Sequence, residues 1–415
     1  MPLPTTPDFP MHLSVDEARR RVLELGAGQR VAAESVGLDH LYGRILAEEI
    51  AVPEDLPPFA NSAMDGYALR GSELPSDGER RFRVAGAVLA GASANVNFET
   101  GECVRITTGA PLPSGADTVV IKENVIVDGD AIIVRPSEHA GANVRPAGED
   151  YPAGDIAFRP GVTLSPSHVA VLAACGRTHA TVARRPRVAL FVTGDELVPS
   201  GEPLGFGQIH DSNRYSLGGM LRGLGIEADP VMHVRDDPAA LRSAFRNAAD
   251  ECDLVLSSGG VSVGEADFLP RIVADFGRIH FWKVRMRPGM PLLCGQIGGA
   301  LVFGLPGNPV STIATFLVLV RPALLAMQGA QTAEGRVWRA RLAKPARKRH
   351  DRCEFLRARL DVRDDGTWWA TPLEKQGSGM LRGVVDADAL IVMPEESREL
   401  PEGSVVELLP LPGLA

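Results

Sequence analysis

The sequence is short of most features that would assign its chemistry at once. Among 415 residues there are five cysteines, Cys103, Cys175, Cys252, Cys294 and Cys353, and none stands in a Cys-x-x-Cys pair. An odd, scattered set argues against a disulfide framework or a zinc knuckle and fits a reducing compartment. There is no His-Glu-x-x-His and no histidine cluster, so zinc is unsupported. Aromatic residues make up only 5% of the chain. Positive charge is outweighed, 43 Lys and Arg against 52 Asp and Glu, for a net charge of −9. That balance argues against a general nucleic-acid or anionic-membrane binder. The most apolar run, 313–320, is stopped by Arg321 and Pro322, too soon to span a bilayer. The N-terminus shows no basic-then-apolar signal pattern, and the expectation is a soluble, cytoplasmic protein.

What is present is a globular chain, 45% hydrophobic and 23% charged, long enough for two to four domains. Ser14-Val15-Asp16-Glu17 is a capping box, and Val15, Ala18, Val22 and Leu25 recur at helical spacing, predicting a helix over 14–26. Residues 39–50 read as a second short element. Between about 52 and 150, β-rich runs at 82–89, 103–107, 117–122, 125–127 and 131–135 alternate with turn signals. They predict a small inserted barrel or sandwich. PPFANSAMDGYALR (57–70) and ITTGAPLP (106–113) read, by composition, as its turns. Ser165-Pro166 starts a helix over 166–175.

Residues 187–328 change period. Strand candidates at 187–193, 227–234, 252–257, 279–284, 291–295 and 300–304 alternate with helix candidates at 213–224, 237–249, 267–276 and 309–328. That alternation predicts a doubly wound, largely parallel sheet. Residues 335–415 return to short strands, predicting a small C-terminal β domain.

In such a sheet a ligand sits beyond the carboxyl ends of the strands. There this sequence places Thr193-Gly194-Asp195-Glu196, Asp236-Asp237, Ser258-Gly259-Gly260 leading through Ser262 and Gly264 to Asp267, and Pro306-Gly307-Asn308-Pro309. Glycines let backbone approach an anion, and helix starts face it with N–H groups. Carboxylates beside such loops suit Mg²⁺, which bridges them to phosphate. Each acid alone could be a helix cap, and Asp236 and Asp237 read that way. On the strand that follows, Lys283, Arg285 and Arg287 should share one face, with Val284 and Met286 on the other. Arg285 alternatively reads as a salt-bridge partner. His210, His233 and His280 read as structural histidines, and the basic run 344–352 as a solvated loop. The residues alone point to a metal-assisted transferase or ligase acting on a phosphorylated, anionic small molecule.

At these motifs the chain resembles the molybdopterin molybdenumtransferase family, which includes bacterial MoeA and the E domain of gephyrin. The resemblance runs nearly end to end, through PPFANSAMDGYALR, TTGAPLP, GED (148–150), TGDEL (193–197), DSNRYSL (211–217), RDDP (235–238), SSGGVSVGEAD, FWK, RPG, LPGNPVST and QGSG (376–379). It implies a multidomain α/β plus β architecture. The expected parts are an N-terminal helix (1–30), a linking domain in two pieces (31–51 and 152–183) and an inserted β-rich domain (52–151). A MogA-like molybdopterin-binding α/β domain (184–330) and a C-terminal β-barrel (331–415) complete it.

The resemblance further implies an adenylylated molybdopterin substrate, molybdate as second substrate, Mg²⁺ as cofactor and release of AMP. Carried over by position, Asp65, Thr108, Glu196, Asp236 and Asp267 are the expected catalytic residues, with Glu196 and Asp267 as metal ligands. Ser258, Gly259, Gly260, Ser262, Gly264, Lys283, Arg287, Pro306, Gly307 and Asn308 are expected to hold substrate. Arg357 and Ser378 match positions associated with molybdate entry. A homodimer is expected, with Asp65 and Thr108 reaching the Gly-rich loop from a partner subunit. A molybdopterin adenylyltransferase and recipient molybdoenzymes are possible partners, and neither nucleic acid nor membrane is expected. The chain departs from the family where Lys-Pro-Gly-Lys-Pro is usual and it has Arg287-Pro288-Gly289-Met290-Pro291. Met290 removes a cation, which predicts weaker substrate binding. A non-catalytic pterin-binding scaffold, a molybdopterin adenylyltransferase, and an enzyme using tungstate are the competing readings.

Overall fold

Apolar side chains that alternate along Val188–Thr193, Leu254–Ser258 and Ala300–Leu305 go to opposite faces of one sheet. Val188, Leu190, Leu254, Leu256, Leu301 and Phe303 enter one core, while Ala189, Phe191, Val255 and Val302 enter the other. Strands buried on both faces are what a sheet covered by helices on each side requires. The computed structural model describes residues 9–261, 268–335 and 337–411, and it falls into two compact units.

The first unit comprises described residues in 9–47, 160–165 and 180–411. Its seven-stranded sheet has the order Met11–Leu13, Gly277–Val284, Leu293–Ile297, Ala300–Leu305, Leu254–Ser258, Val188–Thr193, Ala228–Val234. Leu293–Ile297 alone runs against the other six, so the sheet is largely parallel. The helices Val15–Gly28, Asn213–Arg222 and the long helix from Pro309 to Met327 cover one face. Pro238–Glu251 and Leu269–Phe276 cover the other. Val15, Ala18 and Val22 of the first helix join the same core as Leu324 and Met327.

One expectation changes here. Met11–Leu13 forms an edge strand pairing with Trp282 and Val284, an element too short to show a period in the sequence. The apolar helix spans Pro309–Met327, as expected over 309–328, and most of it is buried inside the unit. A wide turn over Phe316–Val320 precedes Pro322, whose ring supplies no N–H to a regular helix.

The end of the chain forms a closed barrel. Cys353–Val362, Trp368–Pro372, Trp338–Leu342, Val405–Pro410 and Ala389–Met393 pair in turn, and the last returns to the first. Met286–Arg287 adds to its edge alongside Cys353 and Glu354, which ties the loop after Lys283 to the barrel. The basic run is largely the exposed loop expected, with Lys344, Arg347 and Arg349 open to solvent, but one member departs from it. Lys348 is buried, its Nζ donating to the Arg352 carbonyl at 2.6 Å and to the Pro394 carbonyl.

The second unit comprises residues 48–159 and 166–179. Its six-stranded sheet has the order Thr118–Ile121, Gly66–Leu69, Glu102–Ile106, Arg80–Val88, Ala131–Val134, Val125–Asp128. No ladder closes it into a barrel among the described residues, and apolar clusters lie on both its faces. The stretch read as a turn at 57–70 in fact supplies the strand Gly66–Leu69. Gly66 permits it, since a Cβ there would lie 2.0 Å from the Val120 carbonyl oxygen of the neighbouring strand. The short element expected over 39–50 is a single turn at Leu38–His40 followed by extended chain.

Candidate active site

Strands that run the same way deliver their terminal loops to one rim, and here that rim carries a cleft of about 320 Å³. Thr193, Gly194 and Glu196 line it after the strand Val188–Thr193, and Asp236 after Ala228–Val234. Gly259 and Gly260 follow Leu254–Ser258, and Pro306, Gly307 and Asn308 follow Ala300–Leu305. Four separate strand ends thus converge as the sequence pattern required.

The backbone explains the glycines. Gly259 has φ +101°, and a Cβ on it would fall 2.5 Å from the Thr193 carbonyl oxygen. Gly194 has φ +143°, and a Cβ there would meet the Glu196 carboxylate at 2.6–2.9 Å. Asp236 and Asp237, equivalent in sequence, separate in space. Asp237 caps the helix Pro238–Glu251 by accepting from the Ala240 N–H at 2.7 Å, whereas Asp236 lines the cleft. His233 is structural, with Nε2 2.9 Å from the Gly194 carbonyl oxygen.

Asn213 is a residue that the sequence reading did not single out. It is buried, and its amide donates to Ser258 Oγ at 2.8 Å and to the Gly307 carbonyl at 2.7 Å. One side chain therefore ties the two glycine loops together. Its only signal in the sequence was a polar residue within DSNRYSL, at the start of a helix. Ser258 is consequently a buried support for the cleft, not part of its lining.

A second cleft of about 400 Å³ adjoins the first and shares Pro291 and Asn308 with it. Arg287, Met290 and Ser311 line one side, and Arg352, Glu354 and the stretch Gln376–Ser378 of the barrel line the other. Asn308 precedes the long helix with extended backbone but makes no side-chain cap, so its amide remains at the junction of the two clefts.

The three cations expected on one strand face do not act together. Lys283 adopts φ +64°, which breaks the two-residue alternation, and its Nζ lies 5.0 Å from the Trp282 ring centroid. Arg285 pairs with Asp351 and Glu395, at 3.4 and 3.0 Å, and Arg287 with the buried Glu354 at 3.4 Å. Val284 and Met286 are buried as expected. Lys283 lines neither cleft. Nor does Arg357, which is 1% exposed, with its donors taken up by the barrel's own loop, so direct contact with an anion is not what this structure gives it. Ser262, Gly264 and Asp267 lie outside the described residues.

The other expected pair sits in the second unit. Asp65 Oδ1 accepts from the Thr108 N–H and hydroxyl, and Lys122 Nζ lies 3.3 Å from Oδ2. These contacts, the Thr108 backbone N–H foremost, hold the Asp65 carboxyl below the usual range. Lys122 was not anticipated, since a lone lysine on a β-rich run carries no motif.

Fold and rim together define a multidomain protein built on a doubly wound α/β sheet with a carboxylate-lined cleft at its strand ends. Comparison with known proteins narrows that class. Residues 13–176 match the MoeA N-terminal region (domain I and II), 189–326 a probable molybdopterin binding domain, and 339–411 the MoeA C-terminal region (domain IV). A molybdopterin molybdenumtransferase of Haemophilus influenzae is 35% identical over 404 residues, covering 96% of this chain and 98% of that one. One of a Nostoc species is 34% identical over 395 residues, covering 91% and 89%. The crystal structure of the molybdopterin biosynthesis MoeA protein of Pyrococcus horikoshii OT3 superposes with a TM-score of 0.83 at 29% identity, covering 96% of this chain and 100% of that one. The chain belongs to the molybdopterin molybdenumtransferase family, a family of transferases.

Proposed function

We propose that this protein is a molybdenum insertase of molybdenum-cofactor synthesis. It takes adenylylated molybdopterin and molybdate, the phosphoanhydride is cleaved, AMP leaves, and molybdenum is placed on the dithiolene sulfurs. The observation that carries the reading is the shared cleft, in which Glu196 and Asp236 face the loops Gly259–Gly260 and Pro306–Asn308.

The donors present fit Mg²⁺. Two carboxylates and the Thr193 hydroxyl are hard oxygen ligands, and Thr193 Oγ1 is buried with no hydrogen-bond partner among the described residues. Glu196 and Asp236 would hold the ion, and the family resemblance adds Asp267, which lies outside the described residues, as a further ligand. Bound there, Mg²⁺ would neutralise charge on the phosphoanhydride oxygens. The chain's own contribution is positional. Asn213 fixes the spacing of the two glycine loops, and the small residues let phosphate oxygens approach backbone. The adjoining cleft, with Arg287 and Arg352, suits the oxyanion that supplies molybdenum. We further propose a cytoplasmic homodimer in which Asp65 and Thr108 of a second copy complete the site.

The test is purified protein with adenylylated molybdopterin, Mg²⁺ and molybdate, assayed for AMP release and active cofactor. AMP and cofactor should form together. Intact substrate binding without AMP would sink the reading. Glu196→Gln and Asp236→Asn should each raise the Mg²⁺ concentration needed and lower the rate by about a hundredfold, the scale of one lost transition-state contact. Asp267→Ala should abolish Mg²⁺-dependent release while the fold survives.

A further inference from the structure

A third cleft, of about 390 Å³, lies at the opposite end of the α/β sheet from the catalytic rim. The helix Val15–Gly28 gives it Arg21, Glu24 and Leu25, and Gln29 follows directly after the helix. The strands Gly277–Val284 and Leu293–Ile297 give it Arg278, His280 and Gln296. Strand register fixes its place. Arg278 pairs with Gln296 and Gln296 with Leu301, near the start of the strand whose far end opens into the catalytic cleft. From Leu301 to Pro306 a strand climbs about 17 Å, so the two clefts are separate sites.

The walls of this cleft carry unmet polar groups of both kinds. Gln29 Oε1 and His280 Nε2 are buried and have no hydrogen-bond partner among the described residues. Thr193 Oγ1 is orphaned in the same way at the catalytic rim. Burial holds the His280 pKa down, with Arg278 and Arg21 reinforcing and a bond with Gln296 opposing, so the ring is uncharged at neutral pH. An uncharged ring can offer a lone pair at Nε2. Glu24 adds a carboxylate, whose pair with Arg20 is exposed. Three acceptors thus face the cleft's contents with little else to bind. Arg278 is exposed and meets Gln296 Oε1 at 3.3 Å, but no carboxylate among the described residues. Arg21, whose Nε is taken by Glu17 at 2.7 Å, is a second cation in the wall. A plain anion would suit the arginines, leave the acceptors unmet and be repelled by Glu24. A plain amine would do the reverse. A molecule with both a carboxylate and an ammonium group answers both demands, and Leu25 offers an apolar wall for its carbon skeleton.

We propose that this cleft binds a small zwitterion, a free α-amino acid. Its carboxylate lies on Arg278 and Arg21, and its ammonium group on Glu24, Gln29 and His280. Solvent does not reach the two orphaned atoms as the cleft stands. The Gln29 amide and the His280 ring present them by turning about their soft terminal torsions. The site is independent of the insertase reading, because it shares no residue with the catalytic cleft or the anion cleft.

The test is calorimetric titration of the full chain with each of the common L-amino acids, then with analogues of the one that binds most tightly. That amino acid should saturate a single site per chain. Its amide lacks the carboxylate and its deaminated acid lacks the ammonium group. Each should bind about tenfold more weakly, the scale of one lost charge-assisted hydrogen bond. Arg278→Gln and Glu24→Gln, both at exposed positions, should fold normally by circular dichroism and weaken binding by a similar factor. Adenylylated molybdopterin should not compete. Binding of none of the amino acids would overturn the proposal. Equal binding of the deaminated acid, or tighter binding of inorganic phosphate, would also overturn it and make the cleft a plain anion site. Unaltered affinity in both variants, or displacement by adenylylated molybdopterin, would put the amino acid elsewhere and overturn it as well. These titrations need no turnover, so failure of the insertase reading would leave their outcome standing.

Discussion

Thr108 gives both its backbone N–H and its hydroxyl to a single oxygen of Asp65, each at 2.9 Å. The other carboxylate oxygen is left to Lys122. An exposed aspartate is thereby fixed in direction and kept ionised, which is what a group offered to a ligand needs. It has little to add to folding, because the pair is open to solvent. Asp65→Asn and Thr108→Ala should therefore leave the melting temperature within a degree or two of about its original value while activity falls by about a hundredfold. Thr108→Val keeps the larger contribution, the backbone N–H, so the Asp65 pKa should rise but remain below that of a free aspartate. A carboxyl NMR titration reads this directly. No movement on removing the hydroxyl would show that the backbone bond acts alone.

Two of the glycines that line the candidate cleft, Gly259 and Gly307, predict opposite things. Gly259→Ala drives a methyl against the Thr193 carbonyl in a left-handed conformation, so the fold itself should suffer, by about 1–3 kcal/mol. At Gly307 a Cβ would meet, among the described residues, only Gly259 Cα, at 4.0 Å. Gly307→Ala should fold normally and still lose substrate affinity, by about tenfold, if a ligand approaches the backbone there. Thermal melts and substrate titrations on the two variants separate these outcomes. Normal affinity in Gly307→Ala would remove that loop from the ligand's path.

Much of this was legible beforehand, and the reasons are specific. Strands buried on both faces, such as Leu254–Ser258, advertise themselves as apolar runs, and the loops after them are marked by glycines, of which Gly259 admits no side chain. Asp236 and Asp237 could not be told apart, because capping depends on which carboxylate meets the Ala240 N–H. Lys283 was misjudged because a left-handed residue inside a strand leaves no trace in composition. The burial of Arg357 and Lys348 is not legible, because a buried cation satisfied by carbonyls has no partner to find in the sequence. Strand Met11–Leu13 is set by pairing across more than 260 residues, beyond any local pattern.

Met290 offers a test of the second cleft. Its sulfur lies 3.8 Å from Arg352 Nη1, so the cation absent from position 290 has a neighbour that already lines the same space. Met290→Lys should tighten molybdate binding by about fivefold at low salt, the value of one added charge at about 4 Å in water. The gain should shrink as ionic strength rises. An unchanged dissociation constant would mean that the side chain at 290 does not face the anion.

Two histidines make the first unit sensitive to acid. Burial holds His280 below its usual pKa, Arg278 adds to the effect, a bond from Gln296 opposes it, and Arg21 adds a smaller push. Burial likewise lowers His350, with Glu354 opposing and Arg352, Arg287 and Lys348 reinforcing. For both groups the folded pKa lies below that of the unfolded chain, near 6.5. The unfolded state then binds more protons as pH falls past that value, so stability is full above it and is lost on acidification. Carboxylates such as Asp253 enter only lower. Burial would raise that group, but the pair with Arg184 and the Arg187 N–H outweigh it and leave it depressed, so its contribution fades below the usual aspartate range. The melting temperature should accordingly begin to drop between pH 7 and 5, before carboxylates titrate. In His280→Asn and His350→Gln the decline over that window should be shallower, and an identical slope in both would assign the acid sensitivity elsewhere.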